Sequence, residues 1–226
     1  MKKNRIIIIL TSVFIIGCIC LSCVFYSTTK TKALPRTSLK ANNVIDINDP
    51  KAIAGFVDYV FVGRVDKISG TIYESFNDSA PELENSSLPF TEYEVQILDS
   101  LKGNLEVGSI VPVLKLGGIS KDNQEIILLS EDDSLLSEGD VVIFFVSVQK
   151  DGSLIVSGEN CSLIISDSID SNHAKKAPTK DRNEIDISRI RDLPIYQEIA
   201  QACEDEYKYD RERYTIREEI LNDAKD

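Results

Sequence analysis

An unbroken apolar run from Ile6 to Tyr26, without charge or proline, constrains this chain more than any other feature. Its 21 residues would span roughly 30 Å as a helix at about 1.5 Å per residue, the thickness of a bilayer core. The apolar region of a cleaved signal is usually only about 7–15 residues. The run therefore reads as a retained single-pass anchor over residues 1–26, with Lys2, Lys3 and Arg5 holding the short N-terminus inside. Two other readings stand beside it. Thr31-Lys32-Ala33 has the small residues of a signal-peptidase site, which would release the chain as a secreted protein. Ile15-Ile16-Gly17-Cys18 has the form of a lipobox with Cys18 as the lipidated residue, although the apolar run continues past it. All three place the remainder outside the cytoplasm.

Charge then excludes one class of partner. Of 25 Lys and Arg residues, three precede the run, leaving 22 basic against 37 acidic residues beyond it, a net −15. Phosphate binding depends on Lys and Arg displacing counterions, so nucleic acid is not an expected partner.

Downstream, the sequence divides by period. Residues 27–47 are polar and irregular, a juxtamembrane stalk. Asn48-Asp49-Pro50 starts a short helix through Phe56, an Asx cap followed by proline in the first turn. The period then becomes two. Tyr59 to Val65 is a strand with Gly63 marking a bend or bulge. Residues 69–89 are rich in Ser, Asn, Pro and Glu and read as a long loop. From Phe90 onward, Thr91, Tyr93, Val95 and Ile97 share one face, and Glu92, Glu94 and Gln96 the other. Lys102-Gly103-Asn104 turns the chain into a strand from Ser109 to Leu116, where Pro112 signals an edge or bulge. Gln124–Leu129 is a further short strand. Ser137-Glu138-Gly139-Asp140 is a turn leading into Val141–Val146, the most apolar stretch after the N-terminal run. Asp151-Gly152 supplies the positive φ of a tight hairpin onto Leu154-Ile155-Val156, and Cys161–Ile165 is a last short strand. Five or six strands over residues 48–166 imply a mainly β fold, a small closed OB-type barrel.

Residues 167–188 read as a polar linker. Residues 189–226 read as a charged C-terminal helix, with Tyr196, Ile199, Cys203, Tyr207, Tyr214 and Leu221 on one stripe and pairs such as Glu204–Lys208 supporting it.

Several of these pieces resemble the netrin-like module found in tissue inhibitors of metalloproteinases, in the same order. Val57-Asp58-Tyr59-Val60-Phe61-Val62-Gly63-Arg64-Val65 resembles its first strand. Tyr93 to Gly103 resembles its second, which ends in an apolar-Lys-Gly turn. Leu136-Ser137-Glu138-Gly139-Asp140-Val141-Val142-Ile143-Phe144 and the Asp151-Gly152-Ser153-Leu154 hairpin resemble later strands, and Cys161 falls near a family cysteine. Similar patterns occur in surface proteins of Gram-positive bacteria. The resemblance implies a netrin-like OB-type barrel. Those inhibitors chelate a protease zinc through an N-terminal cysteine, whereas Ala54-Gly55-Phe56-Val57 precedes the barrel here.

Candidate chemistry is sparse. Cys18, Cys20 and Cys23 lie in the apolar run; Cys161 and Cys203 lie outside it and are either a disulfide pair or two separate buried thiols. His173 is the sole histidine and sits in the linker without a partner. Glu131-Asp132-Asp133, with Asp140 and Asp151 on nearby turns, lacks the ligand spacing of a calcium loop and reads as solvated. Asn77, Asn85 and Asn160 each begin a glycosylation triplet. No catalytic residue, metal or cofactor is expected. The expected role is a non-enzymatic, membrane-tethered binding module whose partner is an extracellular protein or cell-wall glycan. The alternative is an extracellular protease inhibitor acting through a barrel edge or the loop 69–89.

Overall fold

The computed structural model describes residues 34–39, 43–75, 87–156, 158–166 and 185–217. The apolar run with Cys18, the loop tip bearing Asn77 and Asn85, the linker with His173, and residues from 218 onward lie outside them. The chain divides into Met1–Pro35 and Arg36–Asp226, and the second unit is the one described below. No helix among the described residues is long and apolar enough to cross a membrane.

The elements in chain order are β1 (Arg36–Ser38), α1 (Pro50–Phe56), β2 (Tyr59–Ser75), β3 (Ser87–Lys102), β4 (Ile110–Leu116), β5 (Gly118–Ile119), β6 (Ile126–Leu128), β7 (Val141–Val148), β8 (Leu154–Val156), β9 (Ser162–Ile164), α2 (Ile187–Arg191) and α3 (Pro194–Glu204). The fold is mainly β. Strands β2, β3, β4, β8 and β7 are neighbours in that order, and β7 pairs again with β2, so the sheet closes into a ring. β4 and β8 run parallel and the other ring pairings are antiparallel. β9 adds to β7 at Val142–Phe144, beyond the end of β8.

Side-chain period decides what the ring encloses. Thr91, Tyr93, Val95 and Ile97 are buried while Glu92, Glu94 and Gln96 are half-buried, the alternation of a strand with a wet and a dry side. Phe61 and Phe144 stack with ring centroids 5.2 Å apart. Gly63 sits at a register shift in the β2–β3 ladder, and a Cβ there would lie 2.4 Å from Val95 Cγ1. Its glycine thus permits both the bulge and the close approach of β2 to the core. Pro112 pairs with Glu94 on β3, and β8 begins opposite Val113, so the missing N–H costs no ladder bond on that side.

Three expectations need correction. The segment 69–89 is not all loop: β2 and β3 continue as a long hairpin arm whose described pairing runs to Ser75↔Ser87. Cross-strand pairs such as Thr71↔Thr91 and Ile72↔Phe90 override the loop-like composition. The stalk is not irregular throughout, because Arg36–Ser38 pairs in parallel with Ile126–Leu128 and joins β5 and β6 in a small second sheet. Finally, the C-terminal helix stops at Glu204, and Glu206–Arg217 is a non-helical strap. The Glu204–Lys208 pairing is replaced by Lys208–Glu206, 2.8 Å.

Candidate functional site

The expected cap of α1 is present. Asp49 is extended and its carboxylate accepts the Lys51 N–H at 2.9 Å, with Pro50 in the first turn. Seven residues later the helix ends, and its last carbonyls need donors. They receive them from cations, which a helix C-terminus favours. Lys102 Nζ donates to the carbonyls of Ala54 (2.6 Å) and Val57 (3.0 Å), and Arg213 donates to those of Gly55 (2.9 Å) and Val57 (3.0 Å).

Asp58 follows directly, with its side chain 9 % exposed. One oxygen accepts from Arg211 and Arg213, each at 2.7 Å, and the other from the Val148 N–H at 2.9 Å. Burial opposes ionisation of Asp58, but the hydrogen bonds from Arg211, Val148 and Arg213 prevail and hold it below the usual aspartate value. Both arginines reach one carboxylate because the strap is extended there, and residues two apart fall on the same side. The guanidinium of Arg211 also lies 5.3 Å from the Phe56 ring centroid, with its Nε buried and without a hydrogen-bond partner. Tyr209 meets the same ring edge-on at 5.7 Å. Glu206 pairs with Lys102 and Lys208, which outweigh its desolvation and keep it below the ordinary glutamate value.

Beneath α1 lies a hollow of about 190 Å³ lined by Val44, Ile45, Ile47, Ile53, Phe56, Val57, Phe145 and Ile155, with Asn43, Ser147, Gly158 and Cys161 completing the wall. A second, of about 170 Å³, adjoins it through shared Ile47, Ile53 and Phe145 and extends to Leu163, Ile195 and Ile199. Both lie among β7, the helices and the segment 43–48. Val44 stands 81 % exposed in the lining. The sequence reading missed this feature. Its signal was Val44-Ile45-Asp46-Ile47, an apolar cluster inside a stretch otherwise polar enough to read as stalk.

Helices α2 and α3 are held to the ring by another buried aspartate. Asp99 continues the dry side of β3 and accepts from Arg191 through both oxygens (2.7 and 2.9 Å) and from Tyr196 Oη (2.8 Å). Its pKa is again lowered: burial pushes it up, but Arg191 and Tyr196 prevail.

Of the residues singled out from the sequence, Cys161 lines the hollow and Asn160 the adjoining one, and the other described ones fall elsewhere. Cys161 and Cys203 are free thiols in the structure, the first buried and the second half-buried. Cys161 is packed under Gly158, whose hypothetical Cβ would lie 2.6 Å from its sulfur. Cys203 sits on α3 in the field of Lys102 and Glu206. Burial pushes both thiols up to about 11. The acidic residues are dispersed into local roles. Asp133 grips Lys115 at 2.7 and 2.8 Å, Asp140 accepts from the Ser137 N–H, and Asp151 accepts from Ser153. Among the described residues no group of three or more His, Cys, Asp or Glu is arranged to hold a metal. Asn160 donates its side-chain amide to the Ile47 carbonyl at 3.0 Å.

Asp58 and Glu206, at the end of α1, are thus paired with arginine or lysine, and the lining of the hollow is mostly apolar. No protein-family model matches the sequence, and no curated protein is significantly similar to it.

Proposed function

We propose that this chain is a non-enzymatic extracytoplasmic binding module, tethered by its N-terminal apolar run, whose hollow beneath α1 receives an apolar side chain of a protein partner. The observation that carries this reading is the hollow itself, open to the surface and lined by Ile45, Ile53, Phe56 and Phe145. Binding sites are concave and mostly apolar with few polar groups. A cell-wall glycan would want more polar lining than Asn43 and Ser147 offer, so a protein side chain is the better occupant. The ring supports an OB-type, netrin-like identity for the barrel. Five strands close in a ring in which β7 and β8 exchange spatial order relative to sequence, with β4 and β8 parallel.

The test uses full-length protein in detergent micelles as bait against a cell-surface protein fraction, beside a Val44→Asp variant. Val44 is exposed, so the substitution spares the core while placing a charge against the hollow. A partner captured by the native chain and lost with the variant supports the reading. Equal capture by both, or none by either, overturns it.

A second reading, protease inhibition through an edge, draws on the hairpin arm, where Ile68 and Ile72 are 42 % and 39 % exposed. It requires that some extracellular protease in a panel lose activity in the presence of the chain.

A further inference from the structure

We propose that residues 206–217 form a latch whose local release frees α1 and opens the hollow beneath it while the strand ring stays closed. The regulatory meaning rests on the hollow being the binding site; the opening itself does not.

Most of the strap's attachments meet at α1 and the residues that follow its end. The Tyr207 N–H donates to the Lys51 carbonyl, Arg213 to those of Gly55 and Val57, and Tyr209 and Arg211 clasp the ring of Phe56. Glu206 holds Lys102, which itself donates to Ala54 and Val57. α1 in turn supplies Ile53 and Phe56 to the hollow, and Val57 follows at its end. A helix of seven residues does not stand alone in water, so it depends on what packs and caps it. Loss of the strap would remove donors from its last carbonyls and both partners from Phe56.

The ring is held differently. Its strands pair with one another through β2, β3, β4, β8 and β7, and its core is aliphatic and aromatic. The strap's hold is largely ionic and hydrogen-bonded, with Ile216 buried and the Arg217 N–H bonded to the Gly152 carbonyl at the far end. Two kinds of attachment permit two separate openings.

A glycine offers a lever that leaves every charge in place. A Cβ on Gly55 would lie 2.0 Å from the Tyr207 carbonyl oxygen, so the Gly55→Ala side chain pushes on strap backbone rather than on a movable side chain. Alanine is also the better helix former. Any loosening of α1 in this variant therefore comes through the strap.

Hydrogen exchange read by mass spectrometry on the full chain in micelles decides the matter, comparing native protein, Arg211→Ala/Arg213→Ala and Gly55→Ala. The expected result in both variants is exchange about tenfold faster or more over 206–217 and over 50–57 together, with β2, β3 and β7 unchanged. A naphthalene-sulfonate dye should gain fluorescence in parallel. Faster exchange in the strap with α1 unchanged makes the strap a passive appendage and overturns the latch. Faster exchange in the ring as well makes it part of ring closure and overturns it too. Neither readout uses a partner, so failure of the capture experiment and failure of the latch are distinct outcomes.

Discussion

Lys115 continues the dry side of β4 behind Val111 and Val113, and it is only 2 % exposed. A buried ammonium is tolerable because Asp133 grips it with both oxygens. Lys115→Met leaves the Asp133 carboxylate uncompensated and should lower stability by about 3 kcal/mol in urea unfolding, whereas Lys115→Met with Asp133→Leu should recover most of that loss. Gly63→Ala presses a methyl onto Val95 and should cost about 1–3 kcal/mol. Adding Val95→Ala makes room, so the double variant should lose less than the sum of the two single changes in the same assay. The alternation that buries Tyr93, Val95 and Ile97 also points to Asp99, and that of β4 points to Lys115. Sequence reading stops at such residues because a buried charge is costly unless a partner is known. For Asp99 that partner, Arg191, is 92 residues away.

Among the elements, α1 and the strands were legible because each follows from neighbours in sequence: the Asp49 cap, the period of two, and the glycines of Gly103, Gly139 and Gly152, all with positive φ. The strap was not. Tyr207, Tyr209, Arg211 and Arg213 recur every second residue, an extended pattern, yet Tyr207, Tyr214 and Leu221 also fit a helical stripe. Tertiary partners decided between them, and Asp58 stands 155 residues from Arg213. Because the pKa of Asp58 is depressed in the folded state, its contribution is complete above the ordinary value of 3.8 and is lost as pH falls below it toward the lowered value. Amide protection over 206–217, taken relative to the intrinsic exchange rate at each pH, should therefore fall on acidification below that value. Asp58→Asn should show a weaker acid response, the remainder belonging to Glu206, whose pKa is lowered as well. On α3, Ile199→Ala removes a side chain that is 1 % exposed and should cost about 2–5 kcal/mol by chemical denaturation.

For the molecule as a whole, the covalent state is a direct consequence of where the thiols lie. Cys161 and Cys203 are both shifted to about 11, so they are protonated and slow to react in the native protein near neutral pH. Peptide mapping after denaturation without reductant should find both alkylated; a requirement for reductant would contradict the structure. The mainly β character and most strand positions were readable from the sequence, because local period and turn chemistry specify them. Closure into a ring was expected from the number of strands, but the pair that closes it, β7 on β2, and the hollow were not, since both depend on segments distant in sequence meeting on one surface.

The closure of the ring also orders events in time. Asp58 meets the Val148 N–H across 90 residues, but its arginine partners are 153 and 155 residues away. A chain emerging from its N-terminus can complete β2, β3, β4, β7 and β8 before Arg211 exists, and long-range contacts form slowest. During that interval Asp58 has its one backbone donor and neither of its arginines. The strap arrives after those strands and supplies the missing cations, so a chain stalled or clipped before Arg211 would be marked by a closed ring with an unanswered charge at the end of α1.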